Sequence, residues 1–206
     1  MGFPVYDSRT DSGSVVITPE IRACFVRMEP GQSSGGHTHD LGHELFLVLE
    51  GRADFEIDGD TRELGPGQMC VAMADQMHFI TVVGDEPMTM YYSVTPHVQP
   101  THTQWSEGRH RGDRLAHGFV PSDRDVTRLP DDELVDAHVE AVQALANAAQ
   151  AAAKRHRENA ADLKNALGAA DRDAATEAKA SMWEALLPVY TDLFALTTFW
   201  NDASTR

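Results

Sequence analysis

Cysteine is nearly absent from this chain. Cys24 and Cys70 stand far apart in apolar, strand-like segments, and they read as two separate reduced thiols, not as a disulfide or a cysteine metal site. Basic charge is also short: 17 Lys and Arg stand against 32 Asp and Glu, a formal net charge of -15. That balance argues against nucleic acid and anionic membrane surfaces, which basic patches bind. No apolar run approaches membrane-spanning length, and no basic, apolar leader resembles a signal peptide. A reducing cytoplasm is the expected location. The three lysines, Lys154, Lys164 and Lys179, all fall in the C-terminal half.

What is present divides by period. From Gly13 to Thr95 the chain shows short β-rich runs split by turn residues. Arg52 to Ile57 alternates apolar and charged, and Asp58-Gly59-Asp60 supplies a hairpin turn. Ile21 to Met28, Met69 to Ala74, Met77 to Val83 and Met88 to Val94 are further strands. Many short strands with evenly spaced turns predict an antiparallel barrel or sandwich. Pro96 to Pro130 lacks periodicity and reads as an extended connector. Alanine then dominates. Pro130 suits a first helical position, with Asp131-Asp132-Glu133 at the positive end of the helix dipole. One helix is expected to about Leu167, with Gly168 as its stop; a second is expected from about Asp173 and kinked at Pro188. Residues 1–100 are thus expected to form a β-barrel, 101–130 a connector and 131–206 a helical hairpin.

Chemistry concentrates between Gly31 and Gly51. His37 and His39 share one face of an extended strand. Glu44 lies an odd step beyond, but Asp40-Leu41-Gly42 supplies a turn, so Glu44 can face the pair from a second strand. His78 follows Gly67 across a β-like stretch as a fourth candidate. Two or three imidazoles with one carboxylate suit a divalent transition metal such as Fe, Mn, Ni, Co or Zn. His43 rivals Glu44: strand parity places His43 with Leu45, Leu47 and Leu49, and Glu44 with Phe46 and Val48, and the spacing to Gly51 favours Glu44.

This run resembles the cupin superfamily, in its single-domain, quercetin dioxygenase-like form. Gly31, His37, His39, Glu44 and Gly51 satisfy every element of the first cupin motif. In the second, Gly67 and His78 hold their spacing, while Met73, Asp75 and Val82 replace its Pro, Gly and Asn. The resemblance covers roughly Ile21 to Thr95 and implies a mainly β antiparallel double-stranded β-helix. It also implies metal ligation by His37, His39, Glu44 and His78.

Met69, Met73, Met77, Met88 and Met90 are expected mostly as core filling, some facing an apolar cavity beside the metal. Gln76, Tyr91 and Tyr92 are possible polar contacts there. His97 and His102 are assigned to a surface connector; His138 and His156 are assigned to solvated or capping roles. The resemblance implies a metal-dependent dioxygenase acting on a small aromatic or apolar oxygen-bearing molecule, with Glu44 as ligand or general base. The alternatives are a non-catalytic binding barrel and a cupin isomerase, lyase or cyclase. The small-residue stripe of the hairpin points to an assembly element, with a homodimer expected.

Overall fold

The computed structural model describes residues 2–108, 110–118 and 129–206, excepting the side chains of 110, 111 and 114–118. Two compact units divide it: Met1–Val126 with Ser204–Arg206, and Thr127–Ala203.

The first unit is built of antiparallel strands: β1 (Gly13–Ile17), β2 (Arg22–Met28), β3 (His43–Glu50), β4 (Ala53–Ile57), β5 (Asp60–Leu64), β6 (Met69–Ala72), β7 (His78–Val82), β8 (Met88–Thr95), β9 (His102–Glu107) and β10 (His110–Gly118). One sheet runs β1-β2-β8-β3-β6 and a second runs β5-β4-β7. Residues 31–37 extend the second sheet, because Gly31 and Ser34 donate to Val82 and Ile80 of β7. Alternation along β3 turns Glu44, Phe46 and Val48 inward. Phe46, Phe55, Ile80, Val82, Met88 and Met90 form the core between the sheets. This is the antiparallel barrel that the strand pattern predicts, followed by two helices.

Gly51 closes the turn between β3 and β4 with a positive φ of 70°. A Cβ there would lie 2.3 Å from the Pro87 carbonyl oxygen, so no larger residue fits. Asp75 stands where the second motif has glycine, and it too adopts a positive φ, 66°. Aspartate tolerates the left-handed region better than most residues, so this departure keeps the turn. Its amide donates to the His39 carbonyl at 2.7 Å, tying the turn to the strand that carries the histidines.

Part of the expected connector is ordered sheet. β9 and β10 pair antiparallel, and Thr103 of β9 bridges to Thr38. Residues 109 and 119–128 of that stretch lie outside the described residues. Along 97–103 the alternate residues His97, Gln99, Thr101 and Thr103 are all buried. The surface position expected for His97 therefore does not hold.

The second unit is α1 (Asp131–Gly168) and α2 (Arg172–Ser204). Pro188 lies inside α2. Gly168 ends α1, but the left-handed residue is Ala170, φ 55°. Asp171 N–H donates to Ala166 O and Ala170 N–H to Leu167 O, the crossed pair of a Schellman motif. Asp171 then caps α2 by accepting from Ala174 N–H at 3.1 Å. His156 is not solvated as expected: its Nε2 lies 3.2 Å from Met182 O, linking the two helices. Among the described residues no helix is long and apolar enough to cross a membrane.

Candidate metal centre

Three structural segments bring four side chains to one point. His37 and His39 lie on the strand leading from Gly31, Glu44 on β3 and His78 on β7. His37 and His78 face each other across antiparallel backbone, exchanging N–H to O bonds of 3.3 and 3.1 Å. The ligand atoms of His37, His39, Glu44 and His78 lie within 4.8 Å of one another. Glu44 Oε2 is 2.8 Å from both His39 Nε2 and His78 Nε2, and 3.8 Å from His37 Nε2. His39, His78 and Glu44 are buried.

The other ring nitrogens decide the chemistry. His37 Nδ1 meets Gly35 O at 2.9 Å, His78 Nδ1 meets Gln76 O at 2.9 Å, and His39 Nδ1 meets Thr101 O. A carbonyl oxygen only accepts, so each Nδ1 carries the proton and each Nε2 turns inward. A neutral imidazole would then aim a lone pair at the Glu44 carboxylate. Those contacts need a proton on each Nε2 or a cation among them. Three buried imidazoliums would be costly, whereas one divalent ion satisfies all four groups, including His37 Nε2, which is buried with no hydrogen-bond partner. The donor set, nitrogen-rich with one oxygen, fits a transition metal. Burial alone would push the Glu44 carboxyl up, but His37, His39 and His78 hold it well below the ordinary range, so it is an anion available to such an ion.

His43, the rival to Glu44, is exposed on β3, and its Nδ1 accepts from Ala74 N–H at 2.7 Å. The spacing from Glu44 to Gly51 had decided between them in the sequence, and the inward turn of Glu44 on β3 agrees. His102, like His97, is not on the surface connector expected for it. It starts β9, and its ring centroid lies 4.4 Å from His37 and 4.9 Å from His39. Its Nδ1 pairs with Thr101 Oγ1 at 3.0 Å. Burial, with the neighbouring His37 and His39, lowers this imidazole to about 3. His102 has the opposite parity to the buried row His97, Gln99, Thr101 and Thr103, so alternation along this stretch gave no signal for it.

The methionines divide. Met77, Met88 and Met90 are buried, while Met69 and Met73 are exposed. A cleft of about 270 Å³ touches His39 on its Thr101 side, walled by Leu41, Val94, Pro96, Val98 and Pro100; prolines and branched residues, not methionines, make it apolar. Gln76 uses its side-chain oxygen to accept from Met73 N–H at 2.9 Å. Tyr91 stacks edge-on against Phe25, and Tyr92 lies 3.4 Å from Arg22 Nη2. Cys24 and Cys70 are free thiols, and burial pushes Cys70 up to about 11.

A Cupin domain model matches residues 24–95. The polyketide synthase CurC of Streptomyces cyaneus is 33% identical over 69 residues, or 34% of this chain and 45% of that protein. The match thus spans less than half of that relative's length. Among solved structures, a Klebsiella pneumoniae protein with a double-stranded β-helix domain is 21% identical. It aligns over 46% of this chain and 91% of its own, with a TM-score of 0.43. The cupin domain of Schizosaccharomyces pombe Cnp3 is 16% identical over 45% of this chain and 69% of its own, with a TM-score of 0.44.

Proposed function

We propose that this chain, whose residues 24–95 are a cupin domain, is an enzyme that holds one divalent transition metal at His37, His39, Glu44 and His78. Its substrate is a small oxygen-bearing molecule. The observation that carries this reading is the set of Nδ1-to-carbonyl contacts, which turns three Nε2 atoms onto one buried carboxylate. A bound divalent ion supplies Lewis-acid polarisation and lowers the pKa of a coordinated hydroxyl.

The chain's own groups do the rest. The carbonyls of Gly35, Gln76 and Thr101 fix each ring's tautomer and direction. Glu44 is the anion at the centre and the group placed to accept a proton from a bound hydroxyl. The reaction assigned is dioxygenation, as the likeness to quercetin dioxygenase-like cupins implies. A second reading has its own support: the relative CurC is a polyketide synthase by name. An enolisable polycarbonyl chain offers the same kind of oxygens and would be cyclised or isomerised without O₂.

Metal content decides the first step. Wild type should carry about one divalent ion per chain by elemental analysis, and the His37→Ala, His39→Ala double variant should lose it. Equal, substoichiometric metal in both would overturn the site. With metal in place, O₂ uptake dependent on a flavonol or enediol supports dioxygenation. Turnover unchanged under anaerobic conditions supports the second reading.

A further inference from the structure

Arg9, Arg27 and Arg52 lie on the surface and pair with Asp7, Glu29 and Glu63. Arg22 differs in place and in company. It opens β2 opposite Val94 of β8, and Val94 in turn stands opposite Glu44 of β3. Directly paired residues of neighbouring strands share a face, so Arg22 and Glu44 project from the same inner face of the sheet. Two strand spacings, about 10 Å, separate their backbones. The next inward-facing row runs Cys24, Tyr92, Phe46 and Cys70, and it leads into the core.

The Arg22 guanidinium turns onto this face. Its Nη2 donates to the Tyr92 hydroxyl and its Nε to Ser14 Oγ, each at 3.4 Å. Both partners are neutral: burial raises the Tyr92 phenol above its ordinary value, and a serine hydroxyl carries no charge. Among the described residues no carboxylate pairs with Arg22, and its remaining guanidinium N–H groups find no acceptor. The charges of Arg22 and Glu44 both act on Tyr92 and on His102, so the cation and the histidine cluster look onto one interior. A half-buried cation without a counter-charge costs free energy that an anion would offset. We propose that Arg22, with the Tyr92 hydroxyl beside it, binds a carboxylate of the substrate, so that the molecule taken by the metal centre is an acid. The assignment rests on the metal centre proposed above and narrows its substrate class. With about 10 Å between the two backbones, the carboxylate and the oxygens facing Glu44 belong at opposite ends of a molecule the size of a single ring. Arginine suits the role because its planar fork gives a carboxylate two parallel bonds. The net charge of -15 repels acids from the protein as a whole, so capture of an acid calls for a specific cation inside.

Titration calorimetry with paired probes tests this. Full-length protein as purified should bind benzoate about tenfold tighter than benzamide, its uncharged isostere. Arg22→Gln should remove that preference and leave metal content unchanged. Equal affinity for the two probes in wild type overturns the proposal even if the variant does not fold. A preference that survives in folded Arg22→Gln overturns it as well. With zinc loaded, protocatechuate should bind about tenfold tighter than catechol in wild type, and equally in Arg22→Gln; equal binding in wild type would overturn the shared orientation. Elemental analysis of the same samples separates the two readings. Protein without metal that keeps an Arg22-dependent preference for benzoate retains the acid site and loses the metal centre. Stoichiometric metal with no such preference retains the metal centre and loses the acid site.

Discussion

His102 and Glu44 both tie the barrel's stability to pH, and the His102 share can be read separately. Its imidazole falls from the ordinary 6.5 to about 3 in the fold, through burial first and then His37 and His39. Between those values the unfolded chain binds more protons than the folded one. The stability that neutral His102 contributes is therefore whole above pH 6.5 and is lost as pH falls toward 3. In chelator, wild type should lose more urea resistance between pH 6.5 and 4.5 than His102→Gln does. Equal losses would assign the acid sensitivity to other groups. His102 also marks the limit of what single residues reveal. Glu44 was legible from its spacing to His39 and Gly51, since apolar neighbours stand on both faces of β3. His102 has polar company on its strand, so no apolar pattern announced that the strand was covered.

At the scale of elements, turns carry the specific constraints. Gly51 and Gly59 both take a positive φ, 70° and 86°, yet only Gly51 has backbone within reach of a Cβ, while Gly59 has nothing within 4 Å. Gly59→Ala should cost about 1 kcal/mol, the left-handed penalty alone. Gly51→Ala should cost about 3 kcal/mol or more, since strand β8 would have to move as well. Denaturant midpoints of the two variants separate the terms, and equal costs would refute the close approach. The interhelical turn invites the opposite change. Ala170 holds the left-handed position of a Schellman motif, where glycine pays no Cβ penalty, so Ala170→Gly should raise helix stability by about 1 kcal/mol. A loss, read from the thermal midpoint at 222 nm, would mean that the turn is not built this way. Both helices were legible from alanine-rich 3.6-residue periodicity and the acidic first turn of α1. The left-handed position was not, because Gly168 is the better glycine signal and the fold uses a residue two places later.

The whole molecule joins two units of different make. The barrel holds the cluster of three imidazoles and Glu44; the hairpin carries exposed valines on α1 and exposed aromatic residues on α2. The sequence divides by period, from strand alternation to helical repeat; the compact units are Met1–Val126 with Ser204–Arg206, and Thr127–Ala203. Metal binding stabilises only what folds around it, and association stabilises only what it buries. At free metal of about 100 times Kd the barrel gains about 2.7 kcal/mol, a Tm shift on the order of 10 °C. Two isolated helices bury too little to persist in water, so the hairpin's transition should depend on protein concentration. Calorimetry in the presence of chelator should lower one transition and leave the other in place. Dilution at saturating metal should lower the helical transition, followed at 222 nm, and spare the barrel, followed by near-ultraviolet dichroism. Two transitions that move together under either treatment would show one cooperative molecule, with metal and self-association acting on the same fold.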